Sequence, residues 1–400
     1  MAMKRIQFIF FDAGGGHRSA ATALEMVVRE QRRPWEVRLV NLQEELDSLD
    51  PVRRLTGVRM QDSYNLMLKK NWTLGSPQML RVMHSFIRVY RPAVERLWEK
   101  HWEASRPDLV VSLVPHFNRP LCSSLRRVLP ESPYVTVLTD LADYPPHFWI
   151  ERQTQFFICG TERAVQQARA LGHAPQRIFR ASGMILHPRF YEQFQLEQSV
   201  ERERLGLRPG VPTGLVLFGG QGSRVMLEIV ERLDRARLNV QLILLCGRND
   251  ALVSELRRRR TRIPIIIEGF TTEVPYYMRL ANFFIGKPGP GSISEALAMR
   301  LPAIVECNAW TLPQERYNTE YIREKQVGLI LPNFRKIAPA VAELLNSEKL
   351  DRFRKNAAKL ENRAVFEIPD MLEQILKARS TAIEGNQHEP GPSLPSRISF

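Results

Sequence analysis

The sequence predicts an α/β protein made of two doubly wound, Rossmann-like domains that face a cleft. Short apolar runs alternate with helical stretches almost throughout, a pattern typical of parallel sheets covered by helices. The alternation pauses in a charged segment at 191–212 and then restarts. Glycine-rich loops follow the first apolar run of each series, at the strand ends where open α/β sheets bind ligands.

The apolar runs predict buried strands in two series. The first series comprises 6–11, 37–42, 109–114, 134–138 and 156–159, and the second comprises 215–218, 240–246, 263–267, 283–285, 303–305 and 329–331. We therefore expect a first domain at 1–190, a linker at 191–212 and a second domain at 213–365. A helix is predicted at 366–379. The stretch 380–400 lacks an apolar period and is predicted to be a disordered tail.

The composition is that of a globular protein, with 44% hydrophobic and 25% charged residues among 400. No stretch approaches the roughly 18 consecutive apolar residues that a membrane-spanning helix needs. The apolar run 6–11 ends at Asp12 and a glycine cluster, so it reads as a strand rather than a signal peptide. The four cysteines are far apart without metal-ligand spacing, which favours reduced thiols in a cytosolic protein.

The net charge of +14 raises the question of an anionic partner. The charge is not gathered in one tail or in an RNA-binding motif, so no nucleic acid is expected. Segment 51–91 carries eight basic residues against Asp62 alone, interleaved with aromatic residues and methionines. Two interpretations stay open: a loop that meets an anionic membrane surface, or a core-packing helix pair with a solvated basic face.

The first glycine loop, 12–19, contains Gly14, Gly15 and Gly16 followed by His17. Glycines let the backbone approach a ligand closely, and the next helix aims its N–H groups at the cleft. His17 would be a general base there, since imidazole accepts a proton near neutral pH. The alternative is a histidine that only caps or packs.

The loop at 286–296 is the strongest candidate for binding a diphosphate. It combines Lys287 with Gly289, Gly291 and Ser292, which would hold phosphates at a helix N-terminus, and Glu295, which would bind a ribose diol. The structural alternative is that Ser292 caps a helix at 293–299 and forms a capping box with Glu295.

Three further groups complete the predicted ligand contacts. Gly220 and Gln221 lie in a loop at 218–223 suited to phosphate or sugar, although it is not a Walker loop. Gly269 and Phe270 follow a strand and would present backbone groups and a ring to a base. A polar turn would bind sugar hydroxyls, or would simply be a polar helix start, and it consists of Gln314, Glu315 and Asn318. No Asp-x-Asp motif occurs, so neither a metal nor another cofactor is expected.

These motifs, taken in order over 6–365, resemble the monogalactosyldiacylglycerol synthase and processive diacylglycerol glycosyltransferase family. The chain is more distantly similar to the peptidoglycan transferase that adds N-acetylglucosamine to lipid I. Besides the loops above, the resemblance rests on Val137-Leu138-Thr139-Asp140-Leu141, His147-Phe148-Trp149 and Ser182-Gly183. The chain departs from the family pattern at 184–188 and at Tyr144-Pro145-Pro146, both on the acceptor side.

The resemblance implies a GT-B fold and an inverting transfer of a hexose or N-acetylhexosamine. The donor would be a UDP-sugar and the acceptor a lipid such as diacylglycerol. It implies that His17 is the general base, that Asp140 lines the cleft beside it with Thr139 and His147, and that the enzyme lies peripherally on the cytoplasmic face of a membrane. Two rival classes are a nucleotide-sugar 2-epimerase with the same fold and a non-catalytic membrane- or nucleic-acid-binding protein.

Overall fold

The computed structural model describes residues 3–12, 15–47, 76–192 and 197–386, with side chains omitted at 76–87 and 379–386. Most of the predicted membrane or acceptor segment, at 51–75, lies outside the described residues, as does 387–400. Within the described chain, helices and parallel strands alternate in two units, as the sequence predicts. The predicted fold class is confirmed.

The first domain is a parallel sheet in the order β2-β1-β3-β4-β5-β6. Its strands are β1 (Lys4–Phe10), β2 (Trp35–Asn41), β3 (Leu109–Ser112), β4 (Tyr134–Val137), β5 (Phe156–Cys159) and β6 (Ile178–Arg180). In the central register, Ile6 is paired with Val37 on one side and with Leu109 on the other. Strand β6 was not predicted, because three partly exposed edge residues leave no apolar run to recognise.

The helices of this domain are α1 (Gly16–Glu30), α2 (Leu42–Leu46), α3 (Ser76–Ser105), α4 (Asn118–Val128) and α5 (Glu162–Ala170). Helix α1 buries Ala20, Leu24, Val27 and Val28, whose spacing places them on one face. It begins at Gly16, so His17 belongs to its first turn.

The second domain is a parallel sheet in the order β12-β11-β10-β7-β8-β9. Its strands are β7 (Thr213–Leu217), β8 (Gln241–Leu245), β9 (Ile265–Glu268), β10 (Phe283–Gly286), β11 (Ala303–Glu306) and β12 (Gly328–Leu331). Its covering helices are α7 (Val225–Arg235), α8 (Asp250–Arg258), α9 (Val274–Leu280), α10 (Pro290–Ala298), α11 (Arg316–Lys325), α12 (Ile337–Leu344) and α13 (Ser347–Ala358). The predicted linker holds a helix of its own, α6 (Gln198–Arg204).

The last helix, α14 (Ala364–Asn386), returns to the first domain. Its buried residues between Ala364 and Leu376 share a core with α1 and with strands β1 and β3. Arg33, in the turn that precedes β2, forms ion pairs with Asp370 and, at 2.8 Å, with Glu373. The helix runs past the predicted boundary at 379, to Asn386. The predicted tail at 380–400 thus has helical backbone at 380–386, and its remaining residues lie outside the described part of the chain.

The two domains meet at the carboxyl ends of their sheets. Leu141, Ala142 and Met184 of the first domain pack against Tyr317 of α11. The chain crosses between domains near Ser182, whose hydroxyl accepts a 2.7 Å hydrogen bond from the Arg363 backbone. This contact brings the stretch after β4 in the first domain against α11 in the second. Within the part of the chain that is described, no helix is long and apolar enough to cross a bilayer.

Candidate functional site

His17 forms part of the first-domain wall of the cleft. Gly15 precedes α1 with a φ of 82°, a left-handed conformation that glycine adopts without a steric penalty. The half-buried His17 ring places Nδ1 2.9 Å from the Thr139 hydroxyl, just beyond the end of β4. Burial lowers the pKa of His17 to about 4, and a hydrogen bond to the Leu113 backbone offsets this only in part. The imidazole is therefore neutral at pH 7 and has the capacity to accept a proton.

Asp140 lies next to Thr139 and is buried. Its Oδ2 accepts a 2.9 Å hydrogen bond from the Trp149 indole, whose ring centroid is 5.9 Å from that of His17. Burial raises the pKa of Asp140 to about 7. The Trp149 hydrogen bond lowers it somewhat, and the nearby charge of Glu315 raises it further. The predicted pair His17 and Asp140 is thus brought together through Trp149, to which the motif alone assigned no role.

The segment between β4 and β5 is held by a second buried carboxyl group. Asp143 accepts backbone hydrogen bonds from His147 at 3.0 Å and from Trp149 at 2.6 Å. His147 is exposed, with a φ of 65°. Asp143 thus fixes the loop that carries His147 and Trp149.

On the second domain, the loops after β7 and β8 interlock through glycines. A side chain at Gly222, where φ is 62°, would place a Cβ 2.2 Å from the Cys246 carbonyl oxygen. The Gly220 carbonyl accepts a 2.9 Å hydrogen bond from the Arg248 backbone. Gly220 and Gln221 are exposed at the edge of the cleft. The sequence placed these residues in a ligand loop without foreseeing that the glycines also serve close loop packing.

The third loop differs from its predicted capping. Gly289 is the N-cap of α10, with no side-chain capping hydrogen bond, and Pro290 is at the first helical position, which proline favours. Ser292 lies inside the first turn, so the predicted cap at Ser292 and its capping box with Glu295 are wrong. Gly291 and Ser292 instead contribute backbone N–H groups to the first turn, whose orphan donors and dipole favour an anion.

Glu295 is a half-buried carboxylic acid on α10. Burial raises its pKa to about 7, and no opposing charge lowers it. A carboxyl group held in this way is one that a ligand hydroxyl would satisfy. This is compatible with the predicted contact to a ribose diol.

Lys287 and Glu315 form an ion pair on the second-domain wall, with Nζ 3.2 Å from Oε1. The short 3-10 turn Pro313–Glu315 positions the carboxylate. Gln314 has a buried Oε1 for which the described residues supply no hydrogen-bond partner. Asn318, grouped with them by sequence, is fully buried and donates a 2.7 Å hydrogen bond to the Pro288 carbonyl, so it ties α11 to the Lys287 loop.

Phe270 is 54% exposed just after Gly269, at the end of β9. The guanidinium of Arg248 lies 4.2 Å from the centroid of its ring, within range of a cation–π contact. Sequence reasoning missed Arg248, because 22 residues separate it from Phe270 and only the pairing of β8 with β9 brings them together. The ring and the guanidinium therefore lie together just beyond the ends of β8 and β9.

Charged side chains of the second domain affect the pKa of a carboxyl group in the first. Glu315 raises and Lys287 lowers the pKa of Asp140, so these three ionisable side chains lie within electrostatic range of one another. Among the described residues, no group of three or more His, Cys, Asp and Glu side chains is arranged to hold a metal ion.

Comparison with known proteins agrees with this architecture. Residues 214–375 match the glycosyltransferase family 28 C-terminal domain. The chain is 29% identical over 399 residues to a probable monogalactosyldiacylglycerol synthase 2 of Oryza sativa subsp. japonica, covering 95% of this chain and 82% of that protein. It is 26% identical over 396 residues to the monogalactosyldiacylglycerol synthase of Spinacia oleracea, covering 94% and 73%.

Solved structures share the fold at low sequence identity. MurG of Acinetobacter baumannii superposes with a TM-score of 0.55 at 13% identity, over 93% of this chain and 99% of that one. HepE of Anabaena, in complex with UDP-glucose, gives a TM-score of 0.53 at 14% identity, over 94% and 99%. The resemblance inferred from the motifs is confirmed: the chain has the GT-B fold, its C-terminal part matches the glycosyltransferase family 28 C-terminal domain, and nearly its whole length is similar to monogalactosyldiacylglycerol synthases.

Proposed function

We propose that the enzyme transfers a hexose or N-acetylhexosamine from a UDP-sugar to a lipid acceptor such as diacylglycerol. One observation carries the proposal: Asp140, joined to the neighbourhood of His17 through Trp149, is also within electrostatic range of Glu315 and Lys287 at the start of α10. A proton acceptor opposite an anion site is what transfer from a nucleotide diphosphate requires. The names of the relatives and the UDP-glucose bound to HepE support the choice of substrates.

On the donor side, the leaving UDP develops negative charge as the bond to the sugar breaks. Lys287 and the first-turn N–H groups of α10, near Gly289, Gly291 and Ser292, would stabilise this charge. Glu295 would bind the ribose and Phe270 the uracil, while Gln314 and Glu315 would contact the sugar. No metal is needed in this scheme.

On the acceptor side, the lipid hydroxyl oxygen attacks the anomeric carbon of the sugar, on the face opposite the diphosphate. His17 accepts the hydroxyl proton, and UDP departs with the bonding electron pair. A single displacement of this kind inverts the anomeric configuration. Asp140 has one carboxyl oxygen held by Trp149, and we assign the other oxygen to orienting the acceptor beside His17.

A lipid acceptor requires contact with a membrane. We propose peripheral association with the anionic cytoplasmic face through segment 51–91 and no role for nucleic acid. The described end of this segment supports the proposal, because Arg88 and Val89 are exposed on α3, with Val89 75% exposed. Basic and apolar side chains side by side suit an anionic bilayer surface.

The test is transfer from radiolabelled UDP-galactose, UDP-glucose and UDP-N-acetylglucosamine to vesicles with and without diacylglycerol. Diacylglycerol-dependent label in the lipid phase is expected, and the product's anomeric configuration reports inversion. Activity should persist in a metal chelator. Label confined to water-soluble product would overturn the lipid acceptor. Conversion of UDP-N-acetylglucosamine to its epimer without an acceptor would establish the rival 2-epimerase.

A further inference from the structure

The ion pair between Lys287 and Glu315 lies directly on the start of α10. A Cβ placed on the N-cap residue Gly289 would be 3.4 Å from Lys287 Cε and 3.7 Å from Glu315 Oε1. Helix N-termini attract anions, and here the carboxylate of Glu315 already lies close to that position. The pair therefore covers the place proposed for the donor diphosphate.

The two partners differ in their surroundings. The Glu315 side chain is 9% exposed, whereas Lys287 is 39% exposed. Glu315 is held by the 3-10 turn, but the lysine has four rotatable carbons and faces the cleft. Movement of the lysine is thus the easier way to separate the pair.

The charge balance opposes the arrival of a nucleotide diphosphate. Asp140, on the first domain, is a second carboxyl group near the pair, since Glu315 raises its pKa and Lys287 lowers it. A diphosphate entering this site must take Lys287 from Glu315, and it leaves Glu315 as a buried carboxylate without its cation. Such a group regains stability only by accepting hydrogen bonds from something else.

We propose that Lys287–Glu315 is a substrate-displaced ion pair, which rests on the proposed function of the site. The diphosphate draws Lys287 away, and the hydroxyls of the donor sugar then satisfy Glu315. After transfer the sugar is gone, so Glu315 recovers Lys287 and weakens the hold on UDP. Glu315 would thereby favour the complete donor over the product.

The test is calorimetric binding of UDP to Glu315→Gln, a nearly isosteric change that removes the charge. The variant should bind UDP about three- to tenfold more tightly, the range for one charge-assisted hydrogen bond discounted for the exposed lysine. Affinity for the UDP-sugar should gain less, so the preference for donor over product should fall. Glu320→Gln, which neutralises an exposed carboxylate on the same helix, is the matched control and should change neither.

A double-mutant cycle separates the ion pair from general charge repulsion. Lys287→Met should weaken UDP binding, and adding Glu315→Gln to it should then have no further effect. An equal gain in UDP affinity with and without Lys287, or unchanged or weaker binding by Glu315→Gln, would overturn the inference.

If Glu315→Gln folds poorly, Glu315→Asp is the variant to use in its place. Its shorter side chain draws the carboxylate back from Lys287, so it should also tighten UDP binding. Absence of UDP binding to the unmodified enzyme would instead refute the proposed function itself.

Discussion

Replacing Glu295 with Gln should stabilise the protein in a strongly pH-dependent way. The carboxyl group has a pKa of about 7 in the folded protein, against an ordinary value of 4.5. Between these values the folded state keeps a proton that the unfolded state releases, so stability is lost as pH rises through this window. Glutamine has nearly the same shape and stays neutral at every pH.

The size of the effect follows from the same two values. At 1.36 kcal/mol per pH unit, the difference between 4.5 and about 7 sets an upper bound of about 3 kcal/mol above pH 7. At pH 5 the carboxyl group of the folded enzyme is protonated, so the two proteins should then differ by less than about 1 kcal/mol on the same reasoning.

Urea unfolding at pH 5 and pH 8.5 measures this difference, with Glu320→Gln as a control for loss of an exposed charge. An equal change at both pH values, or none at pH 8.5, would refute the argument that burial destabilises the charged form of Glu295. At pH 8.5, where the carboxyl group of Glu295 is ionised, the same variant should bind UDP about tenfold more weakly, because the amide offers one acceptor oxygen where the carboxylate offers two.

Four other changes test the cleft and the loops that support it. His17→Ala should lower kcat about 10²–10⁴-fold in the transfer assay while UDP affinity stays the same, and full activity would remove His17 as the base. Thr139→Val should lower kcat roughly tenfold, because the 2.9 Å contact between its hydroxyl and His17 is lost. The melting temperature should change too little to account for this loss of activity. Gly222→Ala should destabilise the second domain by at least about 2 kcal/mol in urea unfolding, because its Cβ would lie 2.2 Å from the Cys246 carbonyl oxygen. An unchanged free energy of unfolding would show that the loop relaxes freely. Phe270→Ala should weaken UDP binding about tenfold without affecting binding of inorganic pyrophosphate, and equal losses for both would exclude a base contact.

The local patterns of this chain carry much of the architecture. A buried parallel strand is recognisable in the sequence as an apolar run, and a glycine-rich loop is recognisable by its composition. Both sheets and the candidate loops around His17, Lys287 and Phe270 were therefore predictable. The errors are the bounds of two helices and one strand that was not predicted. The start of α10 was misplaced because Gly289 and Pro290 specify it by backbone geometry, whereas Ser292 only resembles a capping residue. Strand β6 and the packed course of α14 depend on neighbours distant in sequence.

The sequence by itself determined which chemical groups are present and which stretches fold into strands, helices and loops, because these depend on side-chain type and short spacing. Only the tertiary structure decided which groups meet. The Trp149–Asp140 hydrogen bond, the Arg248 contact with Phe270 and the Lys287–Glu315 ion pair all join different elements. Protonation was decided there too, since the burial that lowers the pKa of His17 and raises that of Glu295 comes from packing in three dimensions.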